Sequence, residues 1–435
     1  MARYCQRLAY PIYNILLWVL LPLILIYHTY RAYKRGRPAA LLQRFGFDTA
    51  ALTSLLGGRR PILVHAVSVG ESIAVKPLLT ALRKCYPDVP LVISNMTETG
   101  REISSKISDI TAAVYFPFDY TFACSNLLDA MNPRLIIIAE TEIWPNFARE
   151  ANRRSIPLMM VNGRISDRSF GRYLKMSWFF TPVLARFTSL CMQTEVDSER
   201  IIAIGAPAEK VHVTRNLKYD IQPRRIKSAE RNELCGEYGI DAACQLFVAA
   251  STHPGEEEPV IRAFKIILQT SPKSVMVLVP RHPERGAEIT ALLAAGNLSF
   301  RQLSKSRGDG ATGAGEVLLA DTIGELMKFY AAADVVFVGG SLVTLGGHNL
   351  LEPASLGKPV LFGEYMSNFR EISALVLQGG AGILVKSSDD LAKAVTELFA
   401  DPVKTAELGE NGIKLLESSA GATELNMAVV VTIQG

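Results

Sequence analysis

Short, continuously apolar runs separated by helix-length segments recur along most of this chain, and no other feature limits its fold as much. A strand with one face in water alternates apolar and polar residues. A run that stays apolar must be covered on both faces, as in a parallel sheet with helices on either side. Ile62–Val67, Leu91–Ser94, Val114–Phe116, Leu135–Ala139, Leu158–Val161 and Leu190–Gln193 form a first series, with a helix-like stretch at Glu71–Tyr86. Leu246–Ala250, Val275–Val279, Val317–Leu319, Val335–Val338, Val360–Phe362 and Ile383–Val385 form a second. Its helices are expected at Glu256–Gln269, Glu284–Ala295, Ile323–Ala332, Asn349–Leu356 and Pro402–Ser418. The polar, proline-containing stretch Asp220–Asn232 breaks the rhythm and reads as a linker, and Lys305–Gly315 reads as a loop. The expected fold class is α/β, with two Rossmann-like doubly wound domains at residues 40–222 and 233–418. A chain of 435 residues is long enough for both.

Ahead of them, Leu8 to Tyr30 contains no Asp, Glu, Lys or Arg. That is long enough to cross a hydrocarbon layer as a helix. Tyr10, Tyr13, Trp18, Tyr27 and Tyr30 include aromatics near its ends, where interfacial rings belong. Residues 8–30 are therefore expected to be a membrane anchor. Pro11 and Pro22 weaken a straight helix, which leaves a single span and an interfacial helix both open. Arg31, Lys34, Arg35, Arg37 and Arg44 favour a cytoplasmic location for the chain beyond the anchor, although Arg3 and Arg7 blunt the asymmetry. A cleaved signal peptide would need a small-x-small site after the run, and none is present. No later segment is long and apolar enough to span again. A net charge of +4 is too weak to argue for nucleic acid. The six cysteines are scattered without C-x-x-C and read as reduced thiols.

The polar motifs fall at the ends of the apolar runs, where open α/β sheets bind ligands. VHAVSVGE (Val64–Glu71) and VAASTHPGE (Val248–Glu256) open the two halves alike, which fits related domains facing one cleft. Glu71 is a candidate general base, though an acid in a first helical turn is favoured on dipole grounds alone. In IIIAETEIWPN (Ile136–Asn146), Glu140 and Glu142 read as hydrogen-bonding and electrostatic groups, because no D-x-D or His-x-x-His supports a metal. Lys218 in NLKYD either meets a leaving phosphate or lies on the surface. In PRHPER (Pro280–Arg285), Arg281 suits a bidentate phosphate contact, and His282 is a candidate acid or a packed histidine.

Ile323-Gly324-Glu325 opens a helix, offering its N–H groups to a ligand or forming an ordinary cap. In GGSLVTLGGHNLLEPASLGKPVLFG (Gly339–Gly363), two glycine pairs would let N–H groups approach a ligand. The helix start at Asn349 suits a phosphate, and Glu352, one turn on, suits ribose hydroxyls. A glycine-rich connection with Glu352 on a solvated face explains the same spacing. The absence of G-x-S-x-G and of the Walker pattern argues against a serine hydrolase and a P-loop ATPase.

Taken in order, HAVSVGE, ETEIWPN, NLKYD, STHPGEEE, LVPRHPER, DTIGELM and GGSLVTLGGHNLLEP resemble the 3-deoxy-D-manno-octulosonic acid (Kdo) transferases of Gram-negative bacteria. The similarity runs from the N-terminal anchor to at least Ile372. It implies a GT-B glycosyltransferase that moves Kdo from CMP-Kdo to a lipid A precursor (lipid IVA) with inversion, in lipopolysaccharide biosynthesis. It also implies no metal or other cofactor, and a place on the cytoplasmic face of the bacterial inner membrane. By motif, Glu71 is the base for the acceptor hydroxyl, and Glu140 and Lys218 stabilise the transition state. Pro280, Arg281, Ile323, Gly324, Glu325, Asn349, Leu350, Leu351 and Glu352 contact CMP. Arg215-Asn216 departs from the family's Gly-Ser before Leu-Lys-Tyr-Asp, which puts the backbone near Lys218 in question. Two other readings remain: a nucleotide-sugar epimerase or hydrolase of similar fold, and a membrane-tethered sugar-nucleotide or lipid-binding protein.

Overall fold

The computed structural model describes residues 2–35, 40–305 and 310–435. The chain divides into two compact units, Met1–Asp220 with Ala420–Gly435, and Ile221–Ser419.

The first unit is built on a seven-stranded sheet: β1 (Ile62–His65), β2 (Leu91–Asn95), β3 (Ala112–Tyr115), β4 (Leu135–Ala139), β5 (Leu158–Gly163), β6 (Ser189–Met192) and β7 (Val211–Val213). All pairings are parallel, in the order β3-β2-β1-β4-β5-β6-β7. Successive residues of the central strands enter opposite cores. Leu63, Val92, Ile136 and Ile138 pack with Phe147 and Leu184, whereas Ile62, Val64, Ile93 and Ile137 pack with Leu78, Leu79 and Leu82. Neither face meets water, which is why the runs carry no alternation. The strand order reverses between β1 and β4, so their carboxyl ends flank a switch-point crevice.

The helix expected at Glu71–Tyr86 is two helices, Val69–Ala74 and Lys76–Cys85. Pro77, at the start of the second, has no N–H to continue the first. A helix the sequence pattern did not assign, Ala422–Gln434, returns to this unit and buries Ala422 and Val430 in the core beneath β1. Asp220 fixes its start by accepting the N–H groups of Gly421 (2.8 Å), Ala422 (3.2 Å) and Thr423.

The N-terminal helix, Ala2–Arg35, runs through both prolines. One stripe of it is held against the first unit. The Tyr13 hydroxyl donates to buried Asp119 at 2.8 Å, and the Asn14 amide donates to Asn146 at 3.2 Å and accepts from it at 2.8 Å. Tyr120 donates to the Leu17 carbonyl at 2.7 Å, and Leu21 and Ile24 pack around Phe118 and Tyr120. The opposite side presents Ile12, Ile15, Leu16, Val19, Leu23 and Ile26, all more than half exposed. Arg44, counted among the flanking surface cations, is fully buried instead. It lies 4.4 Å from the Tyr115 ring centroid and 3.4 Å from the Glu98 carboxylate, so it works as a structural cation. Arg37 and the side chains of Arg3, Arg7, Arg31 and Arg35 lie outside the described residues.

The second unit repeats the architecture with β8 (Gln245–Thr252), β9 (Ser274–Pro280), β10 (Phe300–Gln302), β11 (Val317–Leu319), β12 (Val335–Val338), β13 (Val360–Phe362) and β14 (Gly382–Leu384). Its sheet is also parallel, in the order β10-β11-β9-β8-β12-β13-β14, with the reversal between β8 and β12. The edge strands β7 and β10 are additions to the sequence reading. A helix, Ser228–Glu237, begins inside the stretch expected as linker, leaving Ile221–Lys227 without regular structure. Of the expected loop at Lys305–Gly315, residues 306–309 lie outside the described residues, and Thr312 bridges Ile240.

Candidate functional site

In the first unit, the turn after β1 leads through Ser68 into the helix Val69–Ala74. Glu71 reaches back from this short helix and accepts the Val67 N–H at 2.7 Å and the Ser68 hydroxyl at 3.0 Å. These bonds fix the carboxylate while leaving the residue 9% exposed. Burial, followed by the charge of Glu140, pushes the Glu71 carboxyl up to about 7, against the pull of its two donors and Lys218. Glu140 is the first residue past β4 and adopts φ 59°. A left-handed backbone at a non-glycine residue costs about 1–2 kcal/mol and is retained where geometry matters. Its Oε1 lies 3.1 Å from Lys218 Nζ. Burial and then the charges of Glu71 and Glu140 push Glu142 up to about 7 as well. Glu71 and Glu142 each raise the other's cost of ionising, so this end of the sheet holds two carboxyls that lose their protons near neutrality.

Lys218 sits on a tight turn, Leu217–Tyr219. The Asn162 side-chain oxygen accepts the Leu217 N–H at 3.0 Å, and that of Asn216 accepts the Lys218 N–H at 2.9 Å. The departure at Arg215-Asn216 is accommodated. Arg215 takes φ 62°, a conformation glycine adopts freely, and its guanidinium donates to the Ala420 carbonyl at 2.6 Å. The Asn216 side chain makes the kind of local turn bond that a serine hydroxyl makes.

The second unit corrects one expectation. The amides of the first glycine pair do not face a ligand. The fully buried carboxylate of Glu256 accepts the N–H groups of Gly340 (2.6 Å), Ser341 (3.0 Å), Leu342 (2.8 Å) and His253 (3.0 Å). An internal anion thus fills the nest. Gly346 and Gly347, at φ 93° and 74°, serve packing: a Cβ on either would collide with Asn368 or Met366. The helix expected from Asn349 spans Leu351–Ser355 only. Asn349 accepts the Leu351 N–H at 3.1 Å and donates to Glu352 at 3.2 Å. Burial raises the Glu352 carboxyl, opposed by Asn349 and then Arg281. Leu350 and Leu351 have fully buried side chains, so only their backbone can meet a ligand.

Pro280 is the last residue of β9, and the Arg281 N–H bonds the Thr252 carbonyl at 2.9 Å. The Arg281 side chain is exposed, and among the described residues its guanidinium makes no hydrogen bond or ion pair. Asn349 and Arg281 both act on the Glu352 carboxyl, so the three share one electrostatic neighbourhood. Ile323 and Gly324 lie in the turn before the helix Leu326–Ala332, with Ile323 88% exposed, and Glu325 accepts the Tyr238 hydroxyl.

Sequence reasoning considered His282 alone. The structure joins His253 Nε2 to His348 Nε2 at 2.8 Å and brings the His282 ring within 5.7 Å of His253. Among the described residues, no group of three or more His, Cys, Asp or Glu is arranged to hold a metal ion.

UDP-GlcNAc 2-epimerase from Neisseria meningitidis, solved bound to UDP-GlcNAc, superposes with a TM-score of 0.58 at 15% identity, covering 86% of this chain and all of its own. That likeness concerns the fold alone. A family model described as 3-deoxy-D-manno-octulosonic-acid transferase (kdotransferase) matches residues 39–221, and one described as glycosyl transferases group 1 matches residues 291–415. The 3-deoxy-D-manno-octulosonic acid transferase of Haemophilus influenzae is 33% identical, covering 95% of this chain and 96% of its own. That of Bordetella pertussis is 30% identical, with the same coverage of 95% and 96%.

Two parallel seven-stranded sheets with these matches define a GT-B-like glycosyltransferase. The chain belongs to the Kdo transferase family.

Proposed function

We propose that the protein transfers Kdo from CMP-Kdo to a lipid A precursor, lipid IVA, with inversion at the anomeric carbon. The observation that carries the mechanism is the Glu71 carboxyl, poised at about 7 beside the Lys218–Glu140 pair. A base is most effective with its pKa near the working pH. Glu71 takes the proton of the acceptor hydroxyl as that oxygen bonds to the anomeric carbon. The bond from this carbon to the phosphate oxygen breaks with its electron pair on the phosphate, and CMP leaves. Glu140 holds the Lys218 ammonium, which offsets negative charge as the transition state forms.

In the second unit, Arg281 pairs with the phosphate, and Glu352, oriented by Asn349, accepts from ribose hydroxyls. Pro280, Ile323-Gly324-Glu325 and the backbone of Leu350 and Leu351 complete the CMP contacts. CMP is already a reasonable leaving group, so the Arg281 cation meets the main electrostatic demand of this unit without a metal ion.

The N-terminal helix acts as an interfacial anchor on the cytoplasmic face of the bacterial inner membrane. Supporting this is its one-sided docking. Inserting residues 10–28 across a bilayer would strip Asp119 and Asn146, both fully or almost fully buried, of their helix partners. The outer apolar face then meets lipid and keeps the enzyme where a lipid acceptor presents its sugar.

The test is turnover of CMP-Kdo by the full-length protein with and without lipid IVA. Formation of a Kdo-lipid together with CMP is expected. Consumption without acceptor would favour an epimerase or hydrolase, and binding without turnover a tethered binding protein.

A further inference from the structure

His253, His282 and His348 converge near the carboxyl ends of β8, β9 and β12. The His253 and His348 rings are parallel within 4°, with centroids 5.1 Å apart and Nε2 atoms only 2.8 Å apart. Edges therefore meet, not faces: the two rings lie end to end in one plane. An N···N hydrogen bond needs one donor and one acceptor. The neutral pair holds a single hydrogen between the Nε2 atoms, and the accepting ring carries its own hydrogen on Nδ1. One further proton can enter at Nδ1 of the donating ring. The result is an imidazolium bonded to an imidazole, and the shared bond becomes stronger.

The surroundings decide when that happens. Arg281 is the nearby cation with no bonded partner among the described residues. The neighbouring carboxylates are already engaged. Glu256 is spent on backbone amides, Glu257 pairs with Arg285 at 2.6 Å, Glu284 lies 3.4 Å from His282 Nδ1, and Glu352 accepts from Asn349. Burial, then Arg281, holds His348 down at about 4, and burial, His282 and Arg281 lower His253 too. An anion placed here would supply the negative charge that the protein has committed elsewhere.

We propose that His253 and His348 form, with Arg281, an anion subsite that takes up one proton when the phosphate of a nucleoside monophosphate occupies it. This rests on the reading of the second unit as the CMP site. A sugar-bound phosphodiester carries one negative charge and the released monoester carries two. The pair's extra proton, drawn from solvent, matches the charge that appears as the glycosyl C–O bond breaks. It returns to solvent when CMP leaves, and it stays on imidazole throughout.

The test is calorimetric titration of the full-length protein with CMP in two buffers of different ionisation enthalpy. Slightly above neutral pH the free phosphate, with its second pKa of about 6, is already doubly charged. Wild type is expected to take up about one proton per CMP bound. His253→Gln and His348→Gln should each reduce uptake to near zero. Cytidine, the phosphate-free probe, should show none with any of the three proteins, and unchanged cytidine affinity reports an intact fold. If His348→Gln does not fold, His253→Gln, whose ring is more exposed, gives the same count. Undiminished uptake in a variant that binds CMP overturns the inference and leaves the donor site standing. A wild type that binds no CMP overturns the donor site and the inference together.

Discussion

Lys218 holds its ammonium 3.1 Å from the Glu140 carboxylate, and Glu71 feels the two charges with opposite signs. With Glu71, its carboxyl near 7, as the proposed base, the acid limb of the pH–rate profile should therefore move in opposite directions on their removal. Glu140→Gln should shift the limb down, and Lys218→Met should shift it up, each by about 0.5–1 pH unit. The check is kcat/KM against pH for both variants. Shifts of the same sign would break the electrostatic account.

Glu71→Gln should lower turnover by roughly 10²–10⁴-fold with CMP binding unchanged. Its stability effect has a defined sign. The folded carboxyl is raised from 4.5 to about 7, so the folded state prefers the proton. Ionisation begins to cost stability above pH 4.5, and the cost is complete above about 7. The variant should therefore melt above wild type in mildly alkaline buffer and lose that advantage in mildly acidic buffer. A variant less stable than wild type at both pH values would contradict the buried-charge reading.

The outer face of the N-terminal helix should carry the membrane affinity. Leu23 and Ile26 are 62% and 65% exposed there, and burying each in lipid is worth about 1.5–3 kcal/mol. Leu23→Glu with Ile26→Glu should release the protein from anionic vesicles in a flotation assay while leaving CMP binding intact. Retained flotation would mean that lipid contacts the protein elsewhere.

The C-terminal helix should be indispensable to the first unit. Asp220→Ala, which removes its cap, is expected to cost about 1 kcal/mol. A chain ending at Ser419 should lose considerably more, because Ala422 and Val430 leave the core beneath β1. Thermal unfolding of both variants measures this, and an unchanged midpoint on truncation would remove the helix from that core.

The central strands were legible because burial on both faces makes composition itself the signal. The edge strands β7 and β10 were not, since His212 and Arg301 interrupt runs that need cover on fewer sides. Glu71, Glu140 and Lys218 were legible as motif residues. The ion pair was not, because it joins positions 78 apart. The glycine pair at Gly339-Gly340 was misassigned for a similar reason. The competitor for its amides, Glu256, lies 84 residues before Gly340, and local spacing cannot report it. The histidine pair, 95 residues apart, was hidden the same way.

The carboxylate of Glu256 has one more consequence. Because it binds four amides, three of them in the turn after β12, the protein's own bonds order that turn, and Gly340 is held against the His348 ring. The conformational entropy of that turn, about 1–2 kcal/mol per residue, is surrendered when the chain folds and not when a ligand binds. On the donor-site reading proposed above, CMP would thus meet a turn whose shape is set by folding.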